Sequence, residues 1–255
     1  MYDYKAPLRD VRFSAFELLD YEAHYRKLPG AEDLNIELAS AILEQGARFA
    51  EDVLAPLNAS GDEQGAQWQG GEVTTPDGFK DAFRQYAEGG WIGLGCREEY
   101  GGQGLPKSLD NILGEFRGSA NLTWSLCTSL SAGAIDTLTA YGTEDQKQTY
   151  LTRLVCGDWT ATMCLTEPHC GTDLGLLRTR AEPQADGSYA ITGTKIFITF
   201  GEHDMTENIV HIVLARLPGA PKGSKGISLF IVPKFHVGED GSLGERNSVV
   251  CGSIE

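Results

Sequence analysis

No apolar run in this sequence approaches the roughly 18 residues needed to cross a membrane. The first residues, Met1-Tyr-Asp-Tyr-Lys-Ala-Pro7, lack the basic start and apolar stretch of a secretory signal, so a cytoplasmic protein is the expectation. Positive charge is scarce. There are 21 lysines and arginines against 36 aspartates and glutamates, a net charge of -15. That balance argues against nucleic acid as the main partner, because a phosphate backbone recruits basic surfaces. None of the six cysteines forms a Cys-x-x-Cys pair, so they read as reduced, mostly buried small residues. Cys164, His169 and Cys170 supply only three candidate ligands, in a spacing unlike common zinc modules, and no His-Glu-x-x-His is present. No metal is expected. No Gly-x-Gly-x-x-Gly follows a strand pattern, which argues against a Rossmann dinucleotide site.

What is present is enough apolar residue, 41% of 255, to bury a real core. Leu8, Val11, Ala15, Leu18 and Leu19 recur at helical spacing until Pro29-Gly30. A second helix is expected from about residue 33 to residue 54, with Leu38, Ile42, Phe49 and Val53 on one face, ending before Pro56. Residues 58 to 75 are polar and glycine-rich and read as a long loop. Thr75 then reads as the cap of a helix with Pro76 in its first turn, an apolar face of Phe79, Phe83 and Tyr86, and a stop at Gly89. Two helices follow, at about 107 to 118 and 121 to 141. Thr143-Glu-Asp-Gln146 has the capping-box pattern, and Gly157 ends the helix it introduces. After Trp159 the pattern changes to period two. Ala185-Asp186-Gly187 reads as a hairpin turn, and 209 to 215 and 227 to 232 read as strands. The expected division is a helical domain over residues 1–158 and a β domain over 159–255.

Two stretches carry the chemistry. In Met163-Cys-Leu-Thr-Glu-Pro-His-Cys-Gly-Thr-Asp173, two hydroxyls flank a rigid Glu167-Pro168 step. Gly171 lets backbone approach a ligand. Such a loop suits the polar edge of a ring and a phosphate. In Gly193-Thr-Lys-Ile-Phe-Ile-Thr-Phe-Gly201, Ile196, Ile198 and Phe200 alternate with Phe197 and Thr199, a strand signal that would put an aromatic face and a hydroxyl on one side of a sheet. Glu98 and Glu99 are adjacent on a turn, point apart, and read as solvated rather than as an acid–base pair. His211 alternates with apolar residues and reads as a hydrogen-bonded core histidine.

Leu165-Thr166-Glu167-Pro168 with Gly171-Thr172-Asp173, then Gly193-Thr194-Lys195 and Phe197-Ile198-Thr199, resemble the flavin-contacting segments of the acyl-CoA dehydrogenase family in identity and order. Gly90 to Gly95 and Glu98 to Pro106 resemble that family's segment between early helices. The resemblance implies an α+β multidomain fold: an all-α N-terminal domain, then a small antiparallel β-barrel domain. It implies FAD as cofactor, an acyl-CoA thioester as substrate, electron-transfer flavoprotein as acceptor, a homo-oligomer, and a place in fatty acid metabolism. By the same resemblance Met163, Leu165, Thr166, Gly171, Thr172, Phe197, Ile198 and Thr199 meet the flavin. Gly171 and Thr172 also lie where the CoA arm passes. An acyl-CoA oxidase would use the same motifs, and a non-catalytic binding module could keep the fold.

Phe197 stands where the family usually has tryptophan, and Phe200 where many members have asparagine. With Tyr4-Lys5-Ala6-Pro7, these variants resemble the 3-methylmercaptopropionyl-CoA dehydrogenase branch. The resemblance further implies a helical bundle that supplies the catalytic glutamate, expected beyond Glu255, so that no catalytic base is assigned within this chain. Glu167 is the tempting internal candidate, but before Pro168 a carboxylate reads better as fixing the bend.

Overall fold

A computed structural model describes residues 4–238 and 240–254; the outermost positions of the two expected domains, 1–3 and 255, lie outside the described residues. Helices α1 (Leu8–Arg12), α2 (Tyr21–Tyr25), α3 (Ile36–Phe49), α4 (Ala55–Gln64), α5 (Phe79–Glu88), α6 (Lys107–Ala120), α7 (Leu122–Tyr141) and α8 (Glu144–Cys156) come first, with a short hairpin between α4 and α5. No helix among the described residues is long and apolar enough to cross a membrane.

Several helix boundaries differ from the sequence reading. The expected first helix breaks after a π-helical turn at Phe13–Leu18, because Asp20 takes a left-handed conformation and caps α2 through Ala23 N–H. The second does not stop before Pro56. It continues through a π-helical turn into α4, where proline occupies the first turn and its missing N–H is not needed. The expected loop after Asn58 is therefore helix as far as Gln64, followed by strands β1 (Gln67–Gln69) and β2 (Glu72–Thr74). Gly70 and Gly71 make their turn, both at positive φ as a tight two-residue hairpin demands. The hairpin is pinned at a distance, with the Trp68 indole N–H donating to the carbonyl of Cys251 at 3.0 Å. Thr75 does not cap α5, which starts after Gly78. Its N–H and hydroxyl both donate to Asp204 Oδ1, at 3.0 and 2.7 Å. The capping box at Thr143–Gln146 forms with both hydrogen bonds.

The strands β3 (Trp159–Cys164), β4 (Arg180–Pro183), β5 (Tyr189–Thr192), β6 (Asn208–Ala215), β7 (Ser228–Pro233), β8 (Phe235–Val237) and β9 (Leu243–Arg246) follow the last helix. The small sheet region after a helical one matches the implied order. Its pairing is mixed rather than wholly antiparallel: β3 and β6 run parallel, and β7 joins β6 antiparallel. The long excursion between β3 and β6 lets the chain re-enter in the same direction. Hairpins β4–β5 and β8–β9 stand apart, and no sheet closes on itself among the described residues.

Helix α7 belongs to two cores. Its first turns place Trp124, fully buried, among Phe49, Phe83 and Tyr86, with the indole N–H on the carbonyl of Phe79 at 3.1 Å. Its last turns place Ala134, Ile135 and Leu138 against Trp159, Ala161, Val210 and Ile212 of the sheet. Small residues permit that approach, and Ser131 Oγ accepts the N–H of Ala161 at 3.0 Å.

Candidate functional site

The first stretch leaves β3 at Cys164 and turns back at once. Glu167 N–H donates to Cys170 O at 2.8 Å and Cys170 N–H returns to Glu167 O at 3.0 Å, with Pro168 and His169 exposed at the tip. The Glu167 side chain is buried and serves as the hub. It accepts from Arg178 N–H at 2.7 Å, Thr179 N–H at 3.0 Å, Thr179 Oγ1 at 2.6 Å and Lys195 Nζ at 2.9 Å. Burial alone would raise its pKa. The Thr179 hydroxyl, the Arg178 N–H, the Lys195 ammonium and the Thr179 N–H outweigh that and hold it at about 2. So low a basicity makes Glu167 a poor proton acceptor and a good structural anion.

Lys195 also donates to Leu165 O at 3.0 Å, and Ile196 N–H donates to Thr166 O at 2.9 Å. One lysine from the second stretch thus holds the backbone and carboxylate of the first. Gly193 permits it: a Cβ there would stand 2.2 Å from Thr179 Oγ1. The strand expected over 193–201 does not form. The ladder ends at Thr192, and Phe197 and Phe200 have φ of 56° and 51°, which breaks the pleat's alternation. The Phe197 ring is 67% exposed.

Met163, Leu165, Thr166, Ile198 and Thr199 are half-buried around this junction, while Gly171 and Thr172 are exposed beyond the bend. The hydroxyls of Thr166, Thr172 and Thr199 make no hydrogen bond within the described residues. Of these three, Thr199 lines a groove whose wall also includes Cys164, Lys195, Phe197, Phe230 and Val232. Cys164 does not join His169 and Cys170 as a ligand set. Glu167 does, with donor atoms within 4.8 Å, but its carboxylate is already engaged by the Lys195 ammonium at 2.9 Å.

The chain after the second stretch is fixed by buried polar groups. Glu202 accepts from His203 N–H at 3.0 Å and Arg246 at 3.1 Å, and pairs with Lys234. His203 Nδ1 accepts the N–H of Met205 at 3.1 Å, so the neutral ring carries its proton on Nε2, 2.9 Å from Thr160 Oγ1. Burial, with Lys234 nearby, pushes its pKa down to about 3. His211 is the hydrogen-bonded core histidine expected, its Nδ1 2.7 Å from Thr162 Oγ1. Burial and Lys234 push it down to about 4. The sequence reading missed Thr179 and the link from Lys195 to Glu167; the available signal was one buried-loop acid and one lysine, each inside a separate motif.

Comparison with known proteins bears on this geometry. The acyl-CoA dehydrogenase N-terminal domain profile matches residues 37–158, and the middle domain profile matches residues 162–251. A 3-methylmercaptopropionyl-CoA dehydrogenase from Ruegeria pomeroyi is 46% identical over 99% of this chain and 43% of its own length. A broad-specificity linear acyl-CoA dehydrogenase from Mycobacterium tuberculosis is 38% identical over 100% of this chain and 42% of its own. Among solved structures, an acyl-CoA dehydrogenase complexed with FAD from Bacillus anthracis superposes with TM-score 0.64 at 26% identity, over 80% of this chain and 32% of that one. Butyryl-CoA dehydrogenase from Megasphaera elsdenii gives 0.62 at 25% identity, over 78% and 49%. The chain spans less than half the length of these relatives.

Proposed function

The chain belongs to the acyl-CoA dehydrogenase family, and on that premise we propose that it forms the flavin- and CoA-facing part of an FAD-dependent enzyme. The reaction is α,β-dehydrogenation of an acyl-CoA thioester. The observation that carries the reading is the Lys195 junction, which sets two unpartnered hydroxyls, Thr166 and Thr199, beside an exposed aromatic ring, Phe197. FAD, when bound, accepts the hydride. The chain's own residues hold and orient. Thr166, Met163 and Leu165 address the ring's polar edge, Thr199 and Ile198 its reactive edge, and Phe197 lies against it. Gly171 and Thr172, exposed on the far side of the bend, meet the pyrophosphate and the CoA arm. Glu167 stays ionised to keep the two stretches in register and does not remove the substrate proton. A division at 158/159 places these groups in a β domain packed on a helical one. We place the protein in the cytoplasm, in fatty acid metabolism, as a homo-oligomer passing electrons to electron-transfer flavoprotein.

FAD titration by fluorescence quenching tests the reading. Thr166→Ala and Thr199→Ala should each weaken FAD by on the order of 1 kcal/mol or more. Unchanged affinity and an unchanged flavin spectrum in both would overturn the placement.

A further inference from the structure

A chain of net charge -15 must still receive an anionic thioester, and one pocket stands out against that charge. It is lined by Arg178, Arg180, Thr192, Arg216 and Gly219, with Glu182 also in its wall. Arg178 and Arg180 alternate with the buried Leu177, Thr179 and Ala181, so both side chains leave the same face of the chain. Arg180 pairs with Thr192 of β5 on one side and bridges Arg216 on the other, which sets a hydroxyl and two guanidinium-bearing positions side by side.

The arginines divide the work. Arg216 is fully engaged with carbonyls: Leu177 O and Pro221 O at 3.0 Å, Gly175 O at 2.6 Å and Gly223 O at 2.9 Å. It fixes the pocket wall and ties it to Gly175, three residues from Thr172, while its charge meets no carboxylate among the described residues. The side chains of Arg178 and Arg180 make no hydrogen bond or ion pair within the described residues. Elsewhere Arg12, Arg26, Arg84, Arg97, Arg117, Arg153 and Arg246 are paired with acids, and the other arginines without an acid partner among the described residues, Arg9 and Arg48, lie outside this pocket. Like charges at neighbouring ladder positions cost stability. Folding gains nothing from leaving three guanidiniums together, and a planar guanidinium with free donors is the group best matched to a phosphate.

We infer that Arg178 and Arg180, backed by Arg216, bind a phosphate group at the nucleotide end of the CoA thioester. The inference rests on the proposed acyl-CoA function and extends the substrate site from Thr172 to the edge of β4. The test is calorimetric titration of the 255-residue chain with CoA, 3′-dephospho-CoA and FAD, for wild type and Arg178→Gln/Arg180→Gln. Both side chains are exposed and unpartnered, so the variant should keep the wild-type urea midpoint. CoA should bind about tenfold more weakly per arginine removed, with a shallower salt dependence, while FAD affinity is unchanged. A loss for CoA larger than that for dephospho-CoA assigns the 3′-phosphate; an equal loss assigns the diphosphate. Equal CoA binding by both proteins overturns the inference. So does weakened FAD with CoA untouched, which would give the pocket to the flavin's phosphates. Wild type binding FAD but not CoA also overturns it, whereas binding neither defeats the proposed function itself.

Discussion

The helical half and the sheet half are held together by different physics. Around Trp124 the buried side chains are Leu43, Leu54, Phe79, Phe83, Tyr86, Leu109 and Phe116, a non-directional apolar core. In the sheet half the buried set includes Thr160, Thr162, Glu167, Thr179, Glu202, His203, Asn208 and His211. Every buried aspartate, glutamate or histidine among the described residues lies there. Apolar packing fixes volumes, whereas hydrogen-bonded ions fix positions to within a few tenths of an ångström. The candidate site sits on the half that is positioned.

Acid should separate the two halves most strongly. His203 and His211 have folded pKa values of about 3 and 4, against 6.5 for the free side chain, and Glu167 about 2 against 4.5. In all three the unfolded chain takes up its proton first as pH falls. Histidine-linked stability is therefore complete above pH 6.5 and is lost below it, joined by the glutamate contribution below 4.5. The expected slope is on the order of 1 kcal/mol per pH unit for each histidine. Hydrogen exchange between pH 7 and 4.5 should show β3 and β6 amides losing protection before those of α3 and α6. Simultaneous loss would erase the contrast.

A double-mutant cycle sharpens it. Glu167→Leu leaves the Lys195 ammonium, its side chain 10% exposed, with the Leu165 carbonyl but no counter-charge, and should cost about 3–5 kcal/mol in urea unfolding; adding Lys195→Met should recover much of that. In the helical core Leu109→Met should cost under about 1.5 kcal/mol with no partner to rescue it. A Glu167→Leu cost no larger than that of Leu109→Met would show the ion to be ordinary packing. The smallest effect belongs to Phe197. Its left-handed backbone is strained and its ring is exposed, so Phe197→Asn should gain about 0.5–1 kcal/mol of stability in the same assay. A loss of similar size would show that the ring packs against the protein.

The same division explains what the sequence revealed. Periodicity located α6, α7, α8, the β4–β5 hairpin, β6 and β7, because each buries a face whose spacing is written locally. The boundaries near Pro56 and Thr75 were misjudged because non-local partners decided them: Asp204, 129 residues away, takes the Thr75 hydroxyl from its helix. At the site the two stretches were legible as motifs, and Glu167 as the residue that fixes the bend. The extended run at 193–201 carried a strand's alternation without a ladder, since Lys195 is drawn to Glu167 and two phenylalanines take positive φ. No local pattern encodes that pull.

The hairpin β1–β2 carries a consequence of another kind. Its turn is made by two adjacent glycines, but the Trp68 indole is satisfied by a carbonyl 183 residues further on. Closing so long a loop costs about 3 kcal/mol more chain entropy than closing the hairpin itself. On a chain made from its N-terminus, Trp124 can find Phe49, Phe83 and Tyr86 while the sheet is still unmade. Trp68 must wait for Cys251, so the two tryptophans mark opposite ends of the order in which this molecule can assemble.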